Sequence, residues 1–129
     1  MILGHQYEKA RVLVDGTISH CRASGDAFAL PELLRIKASL IKVMDGDGEH
    51  AASVVLEESR TLSREQGAWA WESRASMDLA RSWLEQGHRL QALDLLRTCR
   101  ERVSEGFDTL DVRRLEALWQ KALGDTPPS

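Results

Sequence analysis

The chain has 129 residues, 43% of them hydrophobic and 29% charged, and its 17 Lys+Arg against 20 Asp+Glu leave a net charge of −3. That mixture excludes a disordered or fibrous polymer and suits one globular domain, which at this length buries about two-thirds of its surface. The acidic balance argues against direct binding of nucleic acid, and the longest apolar stretch, Ala51 to Leu56 with Ser53 inside it, is far below the ~20 residues of a membrane span.

In chain order, the start Met1-Ile2-Leu3-Gly4-His5 has neither the basic lead nor the apolar run of a secretory signal, so a cytoplasmic location is expected. Proline stands only at 31, 127 and 128, and the stretches between glycines are rich in Ala, Leu, Glu, Arg and Gln. Such a pattern predicts an all-α chain with helices over 5–24, 30–45, 49–66, 69–86, 89–104 and 109–123. Apolar residues recur at helical steps, as in Trp71, Ala75, Leu79 and Trp83 with Ala80 alongside. Residues 125–129 read as a disordered tail.

A repeat decides the fold more than any local signal does. Ala10, Ala52 and Ala92 stand 42 and 40 residues apart, and three, four and seven places beyond them come Leu13, Val14, Thr17, then Val55, Leu56, Ser59, then Leu95, Leu96, Cys99. Gly25, Gly67 and Gly106 follow the anchored helices and Gly4, Gly46 and Gly87 precede them, so each is expected to lie between two glycines that close helices. The intervening helices hold a second register, with Ala38 and Ala80 followed three places on by Ile41 and Trp83. A small residue lets two antiparallel helices approach, and a large one locks them.

The Ala80, Gly87, Ala92, Leu96, Cys99 spacing resembles the tetratricopeptide repeat. The first full pair departs from it: Asp45-Gly46-Asp47-Gly48 lengthens the turn, and Lys37 stands where the repeat prefers a large apolar residue. The resemblance implies a right-handed helical-repeat domain over 1–124, with a half repeat at 5–25, repeats at 30–67 and 69–106 and a capping helix at 109–123. Residues 30–123, through Glu32-Leu33-Leu34-Arg35-Ile36-Lys37-Ala38, Trp71-Glu72-Ser73-Arg74-Ala75, Leu79-Ala80-Arg81, Gln86-Gly87 and Glu105-Gly106-Phe107-Asp108-Thr109, also resemble the C-terminal tetratricopeptide region of large bacterial signalling ATPases with adenylate-cyclase-like or winged-helix output domains. That likeness implies a regulatory module, without the ATPase or the cyclase.

Residues with catalytic or ligating chemistry do not assemble in the sequence. There is no phosphate-binding glycine loop, and the Asp45 turn lacks the glutamate at its twelfth place, occupied by Leu56, that a calcium loop needs. Histidines at 5, 20, 50 and 88 are not paired at ligand spacing, and Cys21 and Cys99 fall in packing registers as reduced thiols. Neither a metal, nor a cofactor, nor an enzymatic activity is expected.

Mapped from Ala38 and Ala80, the positions that line a tetratricopeptide groove are Glu32, Arg35, Ser39, Lys42 and Val43, then Arg74, Met77, Arg81, Leu84 and Glu85. Four cations against two acids make a basic strip in an acidic protein; the alternative is a solvated face with Glu32–Arg35 and Arg81–Glu85 pairs. Arg35, Ser39, Lys42, Arg74, Met77 and Arg81 are therefore the candidate partner-binding residues, and the expected partner is an acidic protein or peptide. Trp71 and Trp83 lie on the apolar line, whereas Trp69 faces elsewhere, as a loop closure or a partner anchor. The competing function is a small-molecule sensor with an apolar pocket near Trp69, Trp71 and Met77. The first helix, with Val12-Leu13-Val14, Tyr7, Ile18 and Cys21, has a wider apolar arc than one neighbour covers, so a homodimer through it is expected.

Overall fold

The computed structural model describes residues 2–26, 28–44, 48–102 and 109–124. Six helices form: α1 (Ile2–Ser24), α2 (Leu30–Met44), α3 (Glu49–Glu65), α4 (Trp69–Glu85), α5 (Arg89–Glu101) and α6 (Thr109–Ala122), with no strand among the described residues. No helix is long and apolar enough to cross a membrane among those residues. The six agree with the predicted elements to within a few residues, except that α1 begins earlier and takes in Gly4. Glycine inside a helix costs about 1 kcal/mol against alanine, which does not stop a helix whose other residues favour it. Gly46, Gly106, the Glu105-to-Asp108 segment and the 125–129 tail lie outside the described residues.

Each helix lies against the next in sequence, and α4 additionally meets α2 and α6. The two internal turns after α3 and α4 are built alike. Gly67 and Gly87 take left-handed φ values of 69° and 84°. At the first, Ala68 N–H donates to Ser63 O (2.9 Å) and Gly67 N–H to Arg64 O (3.0 Å); at the second, His88 donates to Trp83 O (2.8 Å) and Gly87 to Leu84 O (3.1 Å). The last carbonyls of each helix are thereby satisfied, and the chain reverses at a residue with no Cβ penalty.

Small residues set how closely the helices approach. The anchors Ala38, Ala52, Ala80 and Ala92 are buried, beside the large side chains of Leu56, Leu79, Leu96 and Leu115. Buried serines share this seam and return their hydroxyls to backbone carbonyls: Ser53 to Glu49, Ser63 to Ser59 and Ser76 to Glu72, at 2.8–2.9 Å. Ser82 Oγ donates to Glu49 Oε2 (2.5 Å), and Gln86 Nε2 to Ser53 Oγ (3.0 Å), tying α3 to α4. Polar side chains are tolerated in the core because each hydroxyl has a partner.

The expected register holds in α3 and α5 and fails in α1. Ser59 and Cys99, seven beyond their alanines, are buried, and Ser59 Oγ donates to Pro31 O across to α2 at 2.7 Å. In α1 the equivalent Thr17 is exposed and its hydroxyl turns back to Leu13 O (2.8 Å). Helix α1 is held instead by Ile18, with Val14, against Leu30 and Leu34. Replacing Ser59 by leucine overpacks the α2–α3 contact and strands the Pro31 carbonyl. Ser59→Leu should cost about 1–3 kcal/mol, read as a lowered melting temperature, whereas Thr17→Leu should leave it unchanged; equal effects would show the two registers to be alike.

Candidate functional site

Positions 35, 39 and 42 fall on one stripe of α2, since steps of three and four return to the same helix face. Because α2 and α4 are in contact, this stripe faces Asp78 and Arg81 of α4, and α6 brings in Arg114. The six side chains surround a cleft of about 260 Å³ whose apolar base is the buried pair Ala38 and Leu56.

The charges in it are not equivalent. Arg35 is clamped, with Nε donating to Asp78 Oδ2 at 2.7 Å and Nη1 to Glu32 Oε1 at 2.8 Å. Burial opposes its charge, but Asp78 and then Glu32 outweigh that and raise its pKa above the ordinary arginine value. Lys42 Nζ lies 3.4 Å from Glu85 and 3.8 Å from Glu49. Against the upward pull of burial, the Glu49 hydrogen bond and the charges of Lys42 and Lys121 hold the Glu85 carboxyl below its usual range. Arg81 and Arg114 are exposed and pair with no carboxylate among the described residues. Two guanidiniums are thus free to meet an anion at the mouth of the cleft, and the geometry suits carboxylate or another planar oxyanion.

Of the sequence-derived groove residues, the structure brings Arg35, Ser39, Lys42 and Arg81 together and sends two elsewhere. Met77 is in the core, 2% exposed, because α4 is covered on more sides than a groove helix needs to be. Arg74 reaches the buried Asp111 of α6, Nη2 to Oδ2 at 3.3 Å, and so joins two helices. Arg114 and Asp78 were missed. Asp78 shares a face with Arg81 three residues on, a signal present in the spacing; Arg114 enters only through the α4–α6 contact. The Glu32–Arg35 pair forms, but Glu85 goes to Lys42 and leaves Arg81 without it.

The tryptophans are engaged by neighbours. Trp71 meets Phe28 with ring centroids 5.1 Å apart, Arg102 lies 3.8 Å above Trp69, and Arg100 lies 4.6 Å above Trp119 while bonding Glu116. Trp83 packs against the core. No family model matches the chain, nor does any curated protein or solved structure.

Two outcomes follow for the charged and thiol groups. Arg74→Glu places a second carboxylate beside buried Asp111 and should cost about 1–3 kcal/mol, whereas Arg81→Glu should leave the denaturation midpoint within about 0.5 kcal/mol of the parent. Burial pushes the Cys99 thiol up to about 11, against weaker opposite pulls from Arg60 and Ser76. Between the free thiol value of about 8.5 and that pKa, the unfolded chain loses a proton that the folded chain keeps, so stability falls as pH rises. In a Cys21→Ser background, Cys99 should resist Ellman's reagent at pH 8 until the protein is denatured; rapid reaction of the folded protein would contradict the burial.

Proposed function

We propose that the chain is a non-enzymatic interaction module of tetratricopeptide type, which holds a carboxylate-bearing peptide or neighbouring domain against the face made by α2, α4 and α6. The observation that carries this reading is the inequality of charges in the cleft: Arg35 and Lys42 are neutralised internally, while Arg81 and Arg114 have no carboxylate partner among the described residues. Two exposed arginines at the mouth of one cleft leave their donor forks open to a ligand's carboxylate. Helices that stack side by side supply an extended surface for a peptide, and arginine forks recognise carboxylates bidentately. The order of helix contacts and the recurrence of Ala38, Ala52, Ala80 and Ala92 at the tight points support the tetratricopeptide reading. The resemblance of residues 30–123 to the C-terminal region of bacterial signalling ATPases makes regulation of an ATPase or a transcription factor the natural setting.

A fluorescein-labelled peptide of alternating glutamate and alanine is the probe. It should bind with an affinity that falls as salt rises, and Arg81→Glu with Arg114→Glu should weaken it by about tenfold or more while the helical circular dichroism and melting temperature stay those of the parent. Binding that survives the double reversal, or equal binding of an uncharged glutamine peptide, would remove the proposal.

A further inference from the structure

Helices α3 and α5 both pack on α4, but their backbones do not meet. Trp83 of α4 lies at the base of the gap between them. Ile41, at the same place after Ala38 that Trp83 holds after Ala80, is buried at 5% exposure. Trp83 is only partly buried: it packs on the core and also lines two neighbouring cavities, of about 410 and 200 Å³. Gln91 of α5 lines both as well, so the two form one groove along α3 and α5. A groove of this size falls within the range of small-molecule sites, about 300–1,000 Å³.

We infer that this groove binds a small uncharged molecule built on a flat heteroaromatic ring, with donors and acceptors around its edge as a nucleobase has them. The flat ring follows from the base of the groove, because an indole offers its face to stacking partners. The edge chemistry follows from the walls. His50, His88 and Gln91 enter no side-chain hydrogen bond or ion pair among the described residues, and imidazole and carboxamide can each donate and accept. Gln86 is held with Nε2 on Ser53 Oγ (3.0 Å) and Ser82 O (3.1 Å), which leaves its Oε1 to accept. Arg60, in the wall of the smaller cavity, has a buried Nε–H with no acceptor among the described residues, the kind of group that a bound carbonyl or ring nitrogen satisfies. The absence of charge on the ligand follows from pairing in the walls: Glu57 lies 3.4 Å from Arg60, and Asp94 lies 3.6 Å from Arg97. An ion finds its counter-charges here already taken. A partner helix is the poorer occupant, since Val54 is the one exposed large apolar side chain among the residues that line the groove.

Adenine is the probe, its affinity read by equilibrium dialysis and its place by the indole N–H signals in a nitrogen–proton correlation spectrum of the full chain. It should bind saturably and shift the Trp83 signal, while those of Trp69, Trp71 and Trp119 stay in place. Trp83→Leu should weaken binding by about tenfold or more. Gln91→Ala, which changes an exposed side chain, should weaken it by about threefold or more with helicity and melting temperature unchanged, so the inference stays testable if Trp83→Leu fails to fold. The variant Arg81→Glu with Arg114→Glu should bind adenine as the parent does, which separates the groove from the α2–α4–α6 cleft. No saturable binding, a shift confined to the other tryptophans, full affinity in Gln91→Ala, or loss in the cleft variant would overturn the inference. So would adenosine monophosphate binding the cleft variant about tenfold more tightly than adenine does, because the groove would then be built for an anion.

Discussion

The close approach of α3 and α4 through alanine and serine is the contact on which the remaining geometry depends. Ala52 and Ser53 on one helix and Ala80 and Ser82 on the other are all buried, and the Ser53 and Ser82 hydroxyls lie 3.3 Å apart, so little side chain stands between the two helices there. Apolar transfer alone would make this a weak seam, because a serine contributes little apolar area. Its hydroxyls compensate by satisfying carbonyls and by the Glu49–Ser82 and Gln86–Ser53 bonds between the helices. Leucines at 56, 79, 96 and 115 then fill the space on either side and bring α5 and α6 onto the same core. Overpacking along the seam would push apart the helices that it joins.

That spacing is also what makes the cleft. With α2 and α4 both against α3, the Arg35 guanidinium falls 2.7 Å from Asp78 across the groove, and Lys42 reaches Glu85 at its far end. Half-exposed ion pairs of this kind contribute little to stability. Their effect is positional: they hold two cations away from a ligand and leave Arg81 and Arg114 available at the rim. The arrangement distinguishes residues that share a sign and a helix face but differ in what they can bind.

Helix positions, the two buried alanine pairs of the inner repeats (Ala38 with Ala52, Ala80 with Ala92) and the glycine turns at 67 and 87 were legible in the sequence, because each is set by local chemistry repeated at a fixed interval. Half of the groove was legible for the same reason, as the 35, 39, 42 stripe is a property of α2 alone. Other features depended on tertiary partners. Met77 was expected in the groove and is buried, Arg74 was expected in solvent and holds Asp111, and Arg114 joins the cleft from a helix that reads as a polar cap. The exposure of α1 was foreseen from its excess of apolar residues. Gly4 was not placed correctly, since glycine marks a helix end only when the chain must reverse there.

Native-state hydrogen exchange resolved by residue tests most directly whether the α3–α4 seam carries the structure. If it does, the mid-helix amides of α3 and α4, around Leu56 and Leu79, exchange last and with a common free energy, and protection decreases outward to α1. Protection that is greatest in α1, or α4 amides that exchange well before those of α6, would contradict it.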